Sequence, residues 1–233
     1  MNKSPSNISF FDHIGELQDR LIKSIIAIFI ASCVFYVFID EVFMILVKPV
    51  GKLIFTAPGE SFIARVTLTL FGGFFLALPV VLYQAWMFVA AGLKEHEIRY
   101  IKFFAPCSFL LFIAGGMFAY LVTIPISIRF LLSFSSEYVV PMITVKNYIS
   151  FVGTMVLAFG VVFELPLVLM FLAKIGIATP EFLVQKRKYA VVIILIVSAF
   201  LTPPDLITQV IMAVPLIILY EVGIMAVKLT YRE

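Results

Sequence analysis

The sequence predicts an all-α integral membrane protein, one domain of six transmembrane helices over residues 1–233, and three observations carry that reading. The chain is 63% hydrophobic and 13% charged, with a mean hydropathy of +1.13, well outside the range of soluble domains. Its apolar stretches recur at membrane-spanning length, about 20 residues for a core of about 30 Å. Its Lys and Arg residues cluster in alternate connections. The expected spans are 21–39, 62–88, 103–124, 148–172, 189–201 and 206–222, with an interfacial helix over 9–20. The net charge of +3 is too small to point to nucleic acid. Cys33 and Cys107 fall in apolar segments without a nearby His, and His13 and His96 are isolated in polar stretches, so no metal or cofactor is expected. The first apolar run ends in FYVFID without a small-x-small site and reads as an uncleaved anchor.

Residues 9–23 form an amphipathic lead-in. Ser9 stands as N-cap with Asp12 three residues on, and Phe10, Ile14, Leu17 and Leu21 form an apolar stripe at helical spacing. Asp12, Glu16 and Asp19 line another side; Glu16 is placed to pair with Arg20 and Asp19 with Lys23. On spacing alone these charges read as a solvated face. A loop from Asp40 to about Ser61 holds Pro49, Gly51, Pro58 and Gly59. The second span carries Pro79, has Arg65 near its start to snorkel, and ends with Tyr83 and Trp86 at belt positions.

The linker LKEHEIRYIK, residues 93–102, is charged. Glu95 has Arg99 four residues on, whereas Glu97 has only Leu93 and Ile101 at that spacing. The third span holds Pro106, the close-packing residues Gly115, Gly116 and Ala119, and Tyr120, and ends at Pro125. Thr144 is placed to cap the fourth span; Thr179, with Pro180 at the first helical position, starts a short helix.

The fourth span, YISFVGTMVLAFGVVFELPLVLMFL, contains Glu164 two residues before Pro166. A carboxylate inside a span costs roughly 2.5–3.5 kcal/mol on insertion scales, so it must face protein or water. Gly153 and Gly160 share its face and leave bare backbone around it, while Pro166 bends the helix one turn away. Glu164 reads either as functional or as a buried acid paired for packing. The fifth and sixth apolar runs are short. Residues 189–201 form a helix of roughly 20 Å, and residues 206–220 are interrupted by Gln209 and Pro215. They form either a re-entrant pair or two short spans beside a thinned bilayer.

With six spans, twelve Lys and Arg fall on the side of both termini and five (Lys48, Lys52, Arg65, Arg129 and Lys146) on the other. The positive-inside rule then predicts cytoplasmic termini, with Glu16 and Glu97 on the cytoplasmic face and Asp205 outside.

The stretches FFDHIGELQDRL, LPVVLYQAWMFVAAGLKEHEIR, FAYLVTIP, YISFV, AFGVVFELP and LTPPDLITQVIMAVPLIILYE, in that order along nearly the whole chain, resemble the TatC family, the polytopic subunit of the twin-arginine protein translocase. The resemblance implies six helices in a concave, glove-like arrangement in the bacterial cytoplasmic membrane. It also implies export of folded proteins driven by the proton-motive force, binding of twin-arginine signal peptides, and single-span TatA and TatB partners in a homo-oligomeric complex.

Carried over by position, the signal-peptide acids are Glu16, in H-x-x-E-L, and Glu97, with Leu17, Arg20, His96 and Arg99 beside them. Glu164 is the intramembrane acid, Thr202 and Gln209 meet partner helices, and Pro49, Tyr120 and Asp205 are structural. The chain departs from the family at Gln18, where a basic residue is usual, and at Ala91, where Pro is usual. A twin-arginine motif presents two guanidinium groups, each matched by a carboxylate.

The competing reading is a proton-coupled transporter of small solutes using Glu164, which calls for repeated halves with matching broken helices; residues 1–115 and 116–233 show no such repeat. An intramembrane enzyme needs a Ser–His pair, facing aspartates or HExxH in the spans, and the sequence has none of these.

Overall fold

A computed structural model describes residues 10–93, 98, 101–136, 141–201 and 206–230. Its regular structure is helical apart from isolated bridges. Among the described residues five helical stretches are long and apolar enough to cross a membrane: 14–47, 60–91, 101–132, 145–174 and 212–229. The chain resolves into two compact units, residues 1–109 and 110–233.

In the first unit, helix α1 (Phe10–Phe35) passes through a 3-10 turn (Tyr36–Phe38) into α2 (Ile39–Val47). From residue 10 the lead-in runs into the first span as one continuous helix, because no Pro, Gly pair or cap interrupts α1. Ser9 lies outside the described residues. Helix α3 (Glu60–Ala91) accommodates Pro79 in its interior and packs along α1. Glycine permits that approach: a Cβ on Gly73 would stand 2.6 Å from the Cα of Ser32, and the Phe35 ring covers Gly72.

The outer face of α1, with Ile22, Ile25, Phe29 and Ile30, is exposed, as suits a hydrocarbon solvent. Arg65 pairs with Asp40 at 2.9 Å. Trp86 is not a belt residue: it is 8% exposed and stacks on Phe104 with ring centroids 5.6 Å apart.

The second unit begins within α4 (Ile101–Phe118), which runs through a π-helical turn (Ala119–Thr123) into α5 (Ile124–Leu132). The third span was expected to stop at residue 124. The wide turn instead absorbs Pro125, which sits in the first turn of α5 where its missing N–H is not needed. Thr144 caps α6 (Val145–Phe163), accepting from the Asn147 N–H, and Thr179 caps α8 (Pro180–Gln185), accepting from the Phe182 N–H, as their spacing predicts.

Between these helices α7 (Leu165–Lys174) follows α6 after one residue, Glu164. Helix α9 (Arg187–Leu201) has 15 residues. Helix α10 (Leu206–Thr230) has 25 and continues past the expected limit at 222, since GIMAVKL extends the apolar helix beyond Glu221. The core of this unit is built from Ile149, Met155 and Phe159 of α6 and Met212, Leu216, Ile224 and Val227 of α10. Helix α10 packs on α7, where Gly223 meets the Leu169 side chain and the Cα of Pro166.

Candidate functional site

Residues 16 and 20 share one face of α1, one helical turn apart. The Arg20 Nε donates to Glu16 Oε1 at 3.1 Å, and Arg20 Nη2 donates to the same oxygen. The third contact comes from another helix: Arg20 Nη1 donates to Gln84 Oε1 of α3 at 3.2 Å. A guanidinium only donates, so it fixes the Gln84 amide with its oxygen inward. The side chains of Arg20 and Glu16 are 17% and 27% exposed, respectively, half-shielded by the α1–α3 contact. Among the described residues Glu16 Oε2 accepts no hydrogen bond and remains open to a further donor. Asp19 and Lys23, at the same spacing, form no ion pair among the described residues and are both exposed.

Leu17, beside Glu16, is exposed. Glu97, His96 and Arg99 lie outside the described residues, as do Thr202 and Asp205. Pro49 is exposed in the turn after α2, which closes with Gly51 at φ +84° and its N–H on the Val47 carbonyl. Tyr120 is half-buried within the π-helical turn.

Glu164 occupies the junction of α6 and α7. It ends the first helix, with its N–H on the Val161 carbonyl, and opens the second, its own carbonyl accepting from the Val168 N–H at 2.9 Å. Its residue is half-buried and its Oε1 is shielded from solvent. The bare notch expected beside it is filled: the Phe112 ring packs against Gly160. A glycine on an acid-bearing face is as suited to an aromatic ring as to a ligand, and sequence spacing does not separate the two.

Gln209 donates from Nε2 to the Leu195 carbonyl of α9 at 2.9 Å, a carbonyl that also accepts from the Ser198 hydroxyl at 3.0 Å. Two further polar contacts tie the start of α9 and the preceding α8 to α10 further along. Arg187 pairs with Glu221 at 2.6 Å, and the Tyr220 hydroxyl donates to the Leu183 carbonyl at 2.9 Å.

Sequence reasoning missed Gln84. The available signal was an amide near the end of an apolar span, which needs a partner to offset its desolvation.

Several apolar helices of spanning length define a polytopic membrane protein. The profile of the family described as Sec-independent protein translocase protein (TatC) matches residues 12–215. The TatC protein of Carboxydothermus hydrogenoformans is 43% identical over 226 residues, covering 95% of this chain and 93% of that protein. That of Desulforapulum autotrophicum is 40% identical over 235 residues, covering 98% and 87%. A crystal structure of the twin-arginine translocase receptor TatC superposes with a TM-score of 0.84 at 41% identity, covering 94% of this chain and 99% of that one. The chain belongs to the TatC family. That membership removes the small-solute transporter as a reading of Glu164.

Proposed function

We propose that this chain is the receptor and core subunit of a twin-arginine protein export system. It takes the arginines of a signal peptide on Glu16 and Glu97 at the cytoplasmic face of the bacterial inner membrane. The observation that carries the reading is its likeness, over 94% of its length, to a solved twin-arginine translocase receptor. The local chemistry agrees with it. Glu16 already holds the guanidinium of Arg20, the same group that an incoming arginine presents in its place.

Both termini lie in the cytoplasm, on the side richer in Lys and Arg. Single-span partners of the TatA and TatB kind meet the chain around Thr202 and Gln209, several copies assemble, and the proton-motive force drives passage of folded cargo. The subunit binds and conducts; it catalyses no covalent step.

Glu97 has no oppositely charged residue four positions away and only Lys94 three positions back, so it contributes more than Glu16, whose local partner Arg20 must be displaced. Charge-assisted hydrogen bonds to arginine are worth about 1.5–3 kcal/mol, so Glu97→Gln weakens a twin-arginine peptide by about 10- to 150-fold. The measurement is a titration of the labelled peptide against the purified chain, alongside a twin-lysine version. Unchanged affinity in both comparisons places the arginine site elsewhere.

A further inference from the structure

The bond between Arg20 and Gln84 has no role in peptide binding as described above. It links α1 to α3 across 64 positions of sequence and fixes the one guanidinium that already sits on Glu16. An i,i+4 pair alone is a local contact between two flexible side chains and opens readily. Gln84 changes that. It immobilises the Nη1 edge of Arg20 from a second helix, leaving Nε and Nη2 aimed at Glu16 Oε1.

We infer that Arg20 occupies Glu16 as an internal stand-in for the signal peptide's arginine, and that Gln84 is the positioning residue that holds it there and so sets the threshold for its release. The inference rests on the reading of Glu16 as a peptide-binding acid.

The chemistry of the three groups gives the latch its selectivity. The amide of Gln84 accepts a hydrogen bond without neutralising Arg20, so the guanidinium keeps its attraction to Glu16 and still leaves it without being stranded. A peptide guanidinium replaces Arg20 on Glu16 like for like: two N–H donors leave and two arrive, and the charge at Glu16 is unchanged. A lysine ammonium brings a point charge with three rotatable donors and does not reproduce the fork. With Arg20 held in place, an incoming lysine is therefore the poorer competitor. With Arg20 loosened, Glu16 is open to either cation. The partial exposure of the pair, 17% for Arg20 and 27% for Glu16, makes Glu16 reachable while still shielding the resident contact. No other described cation competes for the same acid: Lys23 is exposed and makes no ion pair with it.

The test uses the full chain in detergent, with a fluorescent twin-arginine peptide and its twin-lysine counterpart as probes. Gln84→Met removes the acceptor and keeps the length. It is expected to tighten twin-arginine binding by about three- to tenfold, the effect of one modest hydrogen bond, and to narrow the preference for arginine over lysine. Arg20→Gln is expected to do the same. Because Gln84 acts only through Arg20, adding Gln84→Met to Arg20→Gln changes nothing further, whereas a merely structural role gives additive effects.

Gln84→Asn, with its amide one methylene short, matches the Met variant and replaces it if that variant does not fold. The latch is overturned if Gln84→Met or Gln84→Asn leaves affinity and preference at the starting values, or if its effect persists in full with Arg20→Gln. Glu16→Gln separates the two levels. If it weakens the peptide while the Gln84 variants do nothing, only the latch falls; if it has no effect, the peptide site at Glu16 falls and the latch with it.

Discussion

Gly73→Ala probes the contact on which the geometry of the first unit depends. A Cβ at residue 73 would lie 2.6 Å from the Cα of Ser32, whereas ordinary contact begins near 3.4 Å. Backbone cannot rotate away as a side chain does, so α1 and α3 must separate by about 0.8 Å at that level. Gln84 is eleven residues further along α3, three turns and about 16 Å away on the same face. Its bond to Arg20 is 3.2 Å long, within about 0.4 Å of the length at which a hydrogen bond ceases to count as one. A separation carried undiminished to that level takes Arg20 off Gln84 as well as straining the helix pair.

Overpacking of this kind costs about 1–3 kcal/mol, an increase of about 5- to 150-fold in the unfolding equilibrium constant. Denaturant titration of the purified protein in micelles measures it. Gly15→Ala is the control, since nothing lies within 4 Å of that position in the same helix pair, and it is neutral or slightly stabilising. A Gly73→Ala protein as stable as the starting chain would refute the backbone-contact argument.

Two further outcomes are expected. Single cysteines at Lys3, Glu97 or Arg232, with Cys33 and Cys107 replaced, resist an impermeant thiol reagent added to intact cells while one at Glu137 reacts; labelling at position 97 would sink the six-span topology. Glu164→Gln keeps the fold, judged by thermal melting, and lowers export of a twin-arginine reporter, whereas Glu164→Lys damages both by placing a cation in a membrane segment; a Gln variant that exports normally would leave the acid with packing alone.

Local chemistry was legible in the sequence. Thr144 and Thr179 cap the helices their spacing marks, and Glu16 meets Arg20 one turn on. These features depend on three or four neighbouring residues. What escaped depends on partners distant in sequence. In a bilayer the lipid-facing and protein-facing sides of a helix are both apolar, so hydropathy does not show that Trp86 lies buried on Phe104 or that Phe112 covers Gly160.

Helix limits blurred for the same reason. Pro125 reads as a stop, yet a π-helical turn carries the chain on to Leu132, and α10 runs past Glu221 to Thr230. In the candidate site the carboxylate was visible and its geometry was not, because Gln84 is 64 positions from the arginine it holds.

The π-helical turn at Ala119–Thr123 has a consequence for how the third membrane segment is inherited. Such a turn holds one residue more than an α-helical turn, and one residue corresponds to about 100° of rotation. The buried set Ile124, Ser127 and Ile128 thus keeps its own phase, offset from that of α4. Removing a single residue from the turn would swing this set toward the outside while leaving the length and apolarity of the segment almost unchanged. Deletions there are therefore expected to be far less tolerated than substitutions, and an alignment that lets a gap slide through this turn will assign the inward face of α5 to the wrong residues.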